Sequence, residues 1–120
     1  NAGFGTTYVQ EGYDAFMKVI KFRKEKLGNH HADTAVIYHD FAYFWYIAGD
    51  YDKALKYNEM ARSIEEELFA EYSITRMRSL NTKALVVWKQ GKHQDADDIF
   101  EYIITTSEQI TLGSDPMKCR

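Results

Sequence analysis

The sequence of 120 residues has one cysteine, one proline, seven glycines and no long apolar run. The lone Cys119 cannot form an intramolecular disulfide, which favours a reducing, cytoplasmic setting. No segment approaches the roughly 20 apolar residues that span a bilayer, and the N-terminus lacks the basic-then-apolar order of a signal peptide. We therefore expect a soluble cytoplasmic chain with no membrane contact.

The chain also lacks an excess of positive charge. It has 15 Lys and Arg residues and 18 Asp and Glu residues, which gives a net charge of −3. This balance removes the general attraction to phosphate on which nucleic-acid binding depends, so no nucleic-acid partner is expected. The single proline and few glycines leave long uninterrupted stretches rich in helix formers. The fold class predicted is all-α, and the 45% apolar content suffices for a packed core.

Apolar spacing and cap residues predict helices at approximately 7–27, 33–48, 51–69, 73–90 and 93–112. Asp33 or Thr34 is the expected N-cap of the second helix, with Asp50 and Ser73 capping the next two. The second helix is apolar nearly all round, so it must be sandwiched or must present an aromatic face to a partner. The acidic run from Glu65 to Glu67 is expected to face water.

The turn Ala48-Gly49-Asp50-Tyr51 recurs as Gln90-Gly91-Lys92-His93, and the two glycines are 42 positions apart. At the same offset Ala42 aligns with Ala84 and Ala54 with Ala96. A repeat of this length indicates stacked pairs of helices, each of which needs its neighbours to bury its apolar face. Two copies in register make the chain a repeat protein.

Residues in both copies also follow a known pattern. They are Leu27, Gly28, His31, Asp33, Thr34, Ala35, Tyr38, Phe41, Ala42, Trp45, Gly49, Tyr51, Ala54 and Ala61, then Leu80, Ala84, Gly91, Ala96 and Phe100. On these residues the chain from about 9 to 112 resembles tetratricopeptide repeats, in the longer variant found in kinesin light chains and many bacterial regulators. Two departures are Asn58, where the family has an aromatic residue, and Ile103, where it has a small one.

The resemblance implies stacked antiparallel hairpins in a right-handed α-solenoid, forming one domain over residues 1–120 of a larger protein. It implies a non-catalytic module without cofactor that binds a protein or peptide segment, as the sensory or scaffold part of a bacterial regulatory protein. The concave surface implied is lined by the first helix of each pair. Its expected binding residues are His39, Tyr43, Tyr46, Arg78, Asn81, Leu85, Trp88 and Lys89.

Two alternatives stay open. Self-association as a scaffold is the first, because the outermost helices lack covering partners and two copies could cover each other's ends as a homodimer. A remote alternative is a metal-dependent hydrolase, since His31, His39 and Asp40 are side chains of the kind that bind zinc or iron. Spacing argues against it, because His39 and Asp40 point about 100° apart on one helix. Ser73, Ser79 and Cys119 offer no activated nucleophile.

Overall fold

The computed structural model describes residues 2–113, with side chains from Tyr8 to Leu112. Five helices make up this range: α1 (Ala2–Leu27), α2 (Ala32–Ala48), α3 (Tyr51–Leu68), α4 (Ile74–Lys89) and α5 (His93–Gly113). The all-α prediction is confirmed, and only the start of α1 departs from the expected bounds by more than one residue. Cys119 lies outside the described residues. No helix in residues 2–113 has both the length and the apolar content to cross a membrane.

The helix starts follow from cap chemistry, with one difference from the expectation. Asp50 and Ser73 cap α3 and α4, and their side chains accept from the backbone N–H groups three residues later. The prediction that Asp33 or Thr34 caps α2 is wrong, because the N-cap is His31, whose Nδ1 accepts from the Asp33 N–H at 3.0 Å. The Thr34 hydroxyl instead donates to the Gly28 carbonyl at 2.8 Å and joins α2 to the end of α1.

Short connections fold the chain into two hairpins, α2–α3 and α4–α5. Gly49 and Gly91 hold the corresponding turns with φ of +88°, a left-handed conformation that side-chain-bearing residues rarely adopt. The hairpins stack through α3 and α4, while α1 packs on the other side of α2. The resulting body measures 58 × 38 × 18 Å, so it is about two helices thick, as expected of a short stack of helical pairs.

Aromatic rings and alanines fill the core between these helices. Phe41 is fully buried, with ring centroids of Phe16 at 4.9 Å and Tyr57 at 4.4 Å. Ala54 and Ala61 of α3 are also fully buried, and their small side chains allow close helix approach. Helix α2 is apolar nearly all round, and both expected reasons, a sandwiched position and an exposed aromatic face, apply. Neighbouring helices cover most of it, while Tyr43 stays 46% exposed.

The expectation that Glu65 faces water is wrong. Glu65 is 2% exposed and lies between α3 and α4 beside Ser79, which is 1% exposed. The Ser79 hydroxyl donates to Glu65 Oε2 at 2.8 Å, and the Asn58 amide donates to the Ser79 carbonyl at 2.9 Å. Asn58 thus replaces an aromatic residue with a polar contact between the two hairpins. Buried polar groups need such partners to offset lost hydration.

Candidate binding groove

An open groove of about 730 Å³ is bounded by four of the five helices. Its polar residues are His39, Asp40, Arg78, Asn81, Thr82 and Ser107. Its apolar and aromatic residues are Phe16, Tyr43, Ile74, Met77, Ile103 and Ile110. Helix α3 contributes no lining side chain, because it lies on the opposite side of the stack. Polar and apolar residues are equal in number, but apolar atoms supply most of the exposed surface of the groove, which is typical of ligand sites.

Helical periodicity explains why these residues converge. On α2, His39 and Tyr43 are four residues apart and share a face. On α4, Ile74, Arg78 and Asn81 follow the same three- and four-residue spacing. The opposite sides of α2 and α4 pack into the core, where Phe41 and Val86 are fully buried. The packing of the hairpins thus turns one stripe of each helix toward the groove.

His39 and Thr82 form the polar contact between α2 and α4 within the groove. His39 Nε2 and the Thr82 hydroxyl form a hydrogen bond of 3.0 Å, and the Thr82 oxygen also lies 3.4 Å from the Arg78 carbonyl. Burial lowers the pKa of His39, and the Arg78 charge adds to this effect while Asp40 opposes it. The imidazole is therefore neutral at pH 7. It holds α2 to α4 rather than presenting a charge to a ligand.

Asp40, Arg78, Asn81 and Ser107 are the exposed polar residues of the groove. A guanidinium can bind a carboxylate through paired hydrogen bonds, and a primary amide can both donate to and accept from a peptide backbone. Tyr43 supplies exposed aromatic area next to them. The arrangement can hold a segment that carries apolar side chains and unpaired backbone amides.

Four of the eight predicted binding residues, His39, Tyr43, Arg78 and Asn81, line this groove. The other four, Tyr46, Leu85, Trp88 and Lys89, are not among its lining residues. Tyr46 packs against Tyr43 with ring centroids 5.6 Å apart. Trp88 is 44% exposed and stacks on His93 with ring centroids 4.2 Å apart, near the α4–α5 turn. Leu85 is half-buried and Lys89 is exposed.

Helices that were not expected to contribute also line the groove. Phe16 comes from α1, and Ile103, Ser107 and Ile110 come from α5. The resemblance assigned the surface only to the first helix of each pair and so missed them. One available indication was Ile103, because a large residue in place of a small one changes the surface that α5 presents. Its apolar side chain makes the groove more hydrophobic than the predicted set implied.

Three histidines and the two serines considered as chemical groups have structural contacts in the described part of the chain. His30 contacts Glu67, His31 caps α2 and His39 binds Thr82. Ser73 caps α4, and Ser79 donates to Glu65. Within residues 2–113 no three His, Cys, Asp or Glu side chains are grouped so that they could hold a metal ion. The geometry of His31, His39 and Asp40 thus gives no support to the hydrolase alternative.

A comparison with family models gives a match to part of the chain. The model described as Tetratricopeptide repeat matches residues 33–108, which is more than half of the 120 residues. The match extends from the first turn of α2 into the last turns of α5, so it includes both hairpins. A comparison with curated proteins finds no match.

Proposed function

The chain belongs to the tetratricopeptide repeat family, and on that premise we propose that it binds a protein or peptide segment in the groove. Repeats of this family generally mediate protein–protein interaction or scaffolding, and the family is typically non-catalytic. The proposal extends to a sensory or scaffold role in a larger bacterial regulatory protein of the cytoplasm. The observation that carries it is the groove itself, with apolar walls around the exposed Arg78 and Asn81.

The shape of the groove favours a chain segment as ligand. Four helices contribute to its lining, from Phe16 on α1 to Ile110 on α5. A segment could place apolar side chains against Tyr43 and Met77 while its backbone amides meet Asn81. Arg78 favours a carboxylate on the ligand, whereas the exposed Asp40 favours a cationic group, and His39 adds no charge. We therefore expect ligands that are apolar with at least one charged group.

The first step selects peptides that bind the immobilised chain from a displayed random library. Calorimetric titration then measures the affinity of the chain for each selected peptide. Asn81→Ala should weaken binding by about 1–3 kcal/mol, because bound backbone amides lose their partner. Trp88→Ala should change binding by less than about 0.5 kcal/mol, because Trp88 does not line the groove.

Both substitutions are at exposed positions, so circular dichroism should match that of the unmodified chain, while Trp88→Ala should lower the melting temperature slightly because it removes the contact with His93. Trp88→Ala therefore serves as the matched control for Asn81→Ala. Selected peptides that bind the Asn81→Ala variant normally, but lose affinity for the Trp88→Ala variant, would place the ligand outside the groove. Failure to obtain any peptide that competes for the groove would count against peptide binding.

Self-association into a homodimer is a second candidate function. It is supported by the outermost helices, where Phe22 of α1 is 60% exposed and Ile104 of α5 is 61% exposed. Among the described elements, α1 packs only on α2 and α5 packs only on α4. Molar mass measured by light scattering should rise with concentration if these faces associate. A mass that stays at one chain throughout would contradict self-association.

A further inference from the structure

The two outermost helices carry opposite charge. α5 contains Asp95, Asp97, Asp98, Glu101 and Glu108 and has no Lys or Arg. The second half of α1 contains Lys18, Lys21, Arg23, Lys24 and Lys26, with Glu25 as its one acidic residue. The whole chain has a net charge of only −3, so this contrast reflects a separation of charge between the ends of the stack. Surfaces of opposite sign attract at long range and set the orientation of docking.

The outer face of α5 carries a short pattern of acid, apolar residue and acid. Glu101, Ile104 and Glu108 follow three- and four-residue spacing and share one face. All three are exposed, while Ala96 and Thr106 on the other side of the helix are buried. No ion pair within residues 2–113 involves either glutamate. Both carboxylates are therefore available to a partner.

The exposed side of α1 carries the complementary pattern of base, apolar residue and base. Lys18, Phe22 and Lys26 are spaced by four residues, so they form one stripe. The stripe faces away from Ile20, which is 5% exposed in the core. Neither lysine takes part in an ion pair among the described residues.

The dimensions of the two stripes agree. A rise of about 1.5 Å per residue separates Glu101 from Glu108 by about 10.5 Å along the helix axis, and Lys18 from Lys26 by about 12 Å. In both cases the apolar side chain lies between the two charges. Two helices laid side by side can thus bring Ile104 against Phe22 while a carboxylate meets an ammonium group on each side.

We propose that the α5 stripe of one copy docks on the α1 stripe of a second copy. The proposal rests on the self-association proposed above and identifies the two surfaces that form the contact. Ile104 and Phe22 supply the apolar contact, and the flanking charges fix which face meets which, since exposed ion pairs add little affinity by themselves. Two copies of α1 facing each other would place lysine against lysine, and two copies of α5 would place glutamate against glutamate.

This contact joins different faces, so it is heterologous. Among the described residues, α1 and α5 do not pack against each other. A pair formed through one such contact therefore leaves one α1 stripe and one α5 stripe uncovered. The pair is the first step, and further copies can add at either end at high concentration unless the rotation closes a ring.

The deciding experiment uses two blocked variants, Phe22→Asp and Ile104→Asp, each analysed alone and in an equimolar mixture by light scattering. Each variant keeps one intact stripe and loses the other, so neither should associate alone. The mixture should form a complex of two chains and no more, because the intact α5 stripe of the Phe22→Asp variant meets the intact α1 stripe of the Ile104→Asp variant. Ile47→Asp is the matched control, because Ile47 is 67% exposed on α2 away from both stripes.

Salt gives an independent result. Between about 0.01 M and about 1 M NaCl the Debye length falls from about 30 Å to about 3 Å, so the unmodified chain should associate about tenfold more weakly. Association that is insensitive to salt would overturn the charge pairing. A mixture that stays at one chain, or a blocked variant that still associates alone, would overturn the pairing of α5 with α1. If the unmodified chain never associates, self-association itself fails, while binding in the groove is tested separately.

Discussion

Glu65 combines burial with incomplete hydrogen bonding. Ser79 satisfies one carboxylate oxygen, but Oε1 has no partner among the described residues. Burial raises the pKa of Glu65, while the Ser79 hydrogen bond and the Arg62, Arg76 and Arg78 charges oppose the shift. The carboxylate is therefore less well stabilised in the folded protein than in water. Its protonated form fits the site better.

The raised pKa predicts how Glu65 affects stability with pH. In the range from its unfolded pKa near 4.5 to its higher folded pKa, the folded state binds more protons than the unfolded state. The contribution of Glu65 to the free energy of unfolding therefore falls as pH rises through this range, and the loss is complete above the folded pKa. Glu65→Gln should remove this dependence, because the amide does not titrate.

The measurement is urea unfolding of both proteins between about pH 4 and pH 8, with the difference in unfolding free energy plotted against pH. We expect the unmodified protein to gain stability relative to the Glu65→Gln variant as pH falls. Glu11→Gln is the matched control, because Glu11 is exposed on α1 outside both stripes and has no ion pair among the described residues. A difference that is flat with pH for Glu65→Gln would contradict the raised pKa.

The burial of Glu65 shows how far the surroundings of a single residue can be predicted from the sequence. The acidic run from Glu65 to Glu67 is typical of a solvated helix face. Glu66 and Glu67 are indeed exposed. Asn58, Ala61 and Glu65, however, follow three- and four-residue spacing on one side of α3. The buried Ala61 could have indicated that its neighbours face α4. The partner of Glu65 could not be predicted, because Ser79 belongs to the next hairpin.

At the scale of elements, the contact between α1 and α2 depends on a glycine inside a helix. Gly12 lies against Phe44, and a Cβ atom built at Gly12 would overlap the Phe44 ring. A helical glycine is destabilising by roughly 1 kcal/mol relative to alanine. Here the missing side chain lets the ring approach, and Phe44 in turn packs on Phe16 at 5.3 Å between ring centroids.

We predict that Gly12→Ala and Phe44→Leu are coupled. In the unmodified background Gly12→Ala should destabilise, because overpacking costs about 1–3 kcal/mol and outweighs the gain in helix propensity. In the Phe44→Leu background the ring atoms near Gly12 are gone, and the same substitution should stabilise by up to about 1 kcal/mol. Unfolding free energies of the four proteins give the coupling directly. Additive effects would contradict a direct contact.

The hairpins were predictable because their turns repeat. Gly49 and Gly91 mark the same turn, and the buried Ala54 and Ala96 follow each at the same distance. Local periodicity and turn chemistry therefore define the order and bounds of the helices. The groove was predictable only in part, because its lining depends on how α1 and α5 are placed beside α2 and α4. That placement arises from packing between residues far apart in sequence, such as Phe16 with Phe41.

At the scale of the whole molecule, the helices differ in how many neighbours cover them. α2 packs against α1, α3 and α4, whereas α5 packs only on α4 among the described elements. In a stack of repeats each unit is stabilised mainly by its neighbours, so the ends open at lower free energy than the centre. Phe41 and Ala42 at the middle of α2 are fully buried. The central helices should therefore unfold last.

Amide hydrogen exchange tests this gradient and connects it with the proposed association. In about 1 M NaCl and at low concentration, where the end-to-end contact is dissociated, amides of α2 should exchange at least about tenfold more slowly than those of α5, a difference of about 1.4 kcal/mol. At low salt and high concentration, protection should rise in α5 and in the second half of α1, because a second copy covers both faces. The second copy does not cover α2, so the protection of the α2 amides should change little. Equal protection of α5 and α2 in high salt would contradict the gradient, and unchanged end helices at low salt would contradict the docking of α5 on α1.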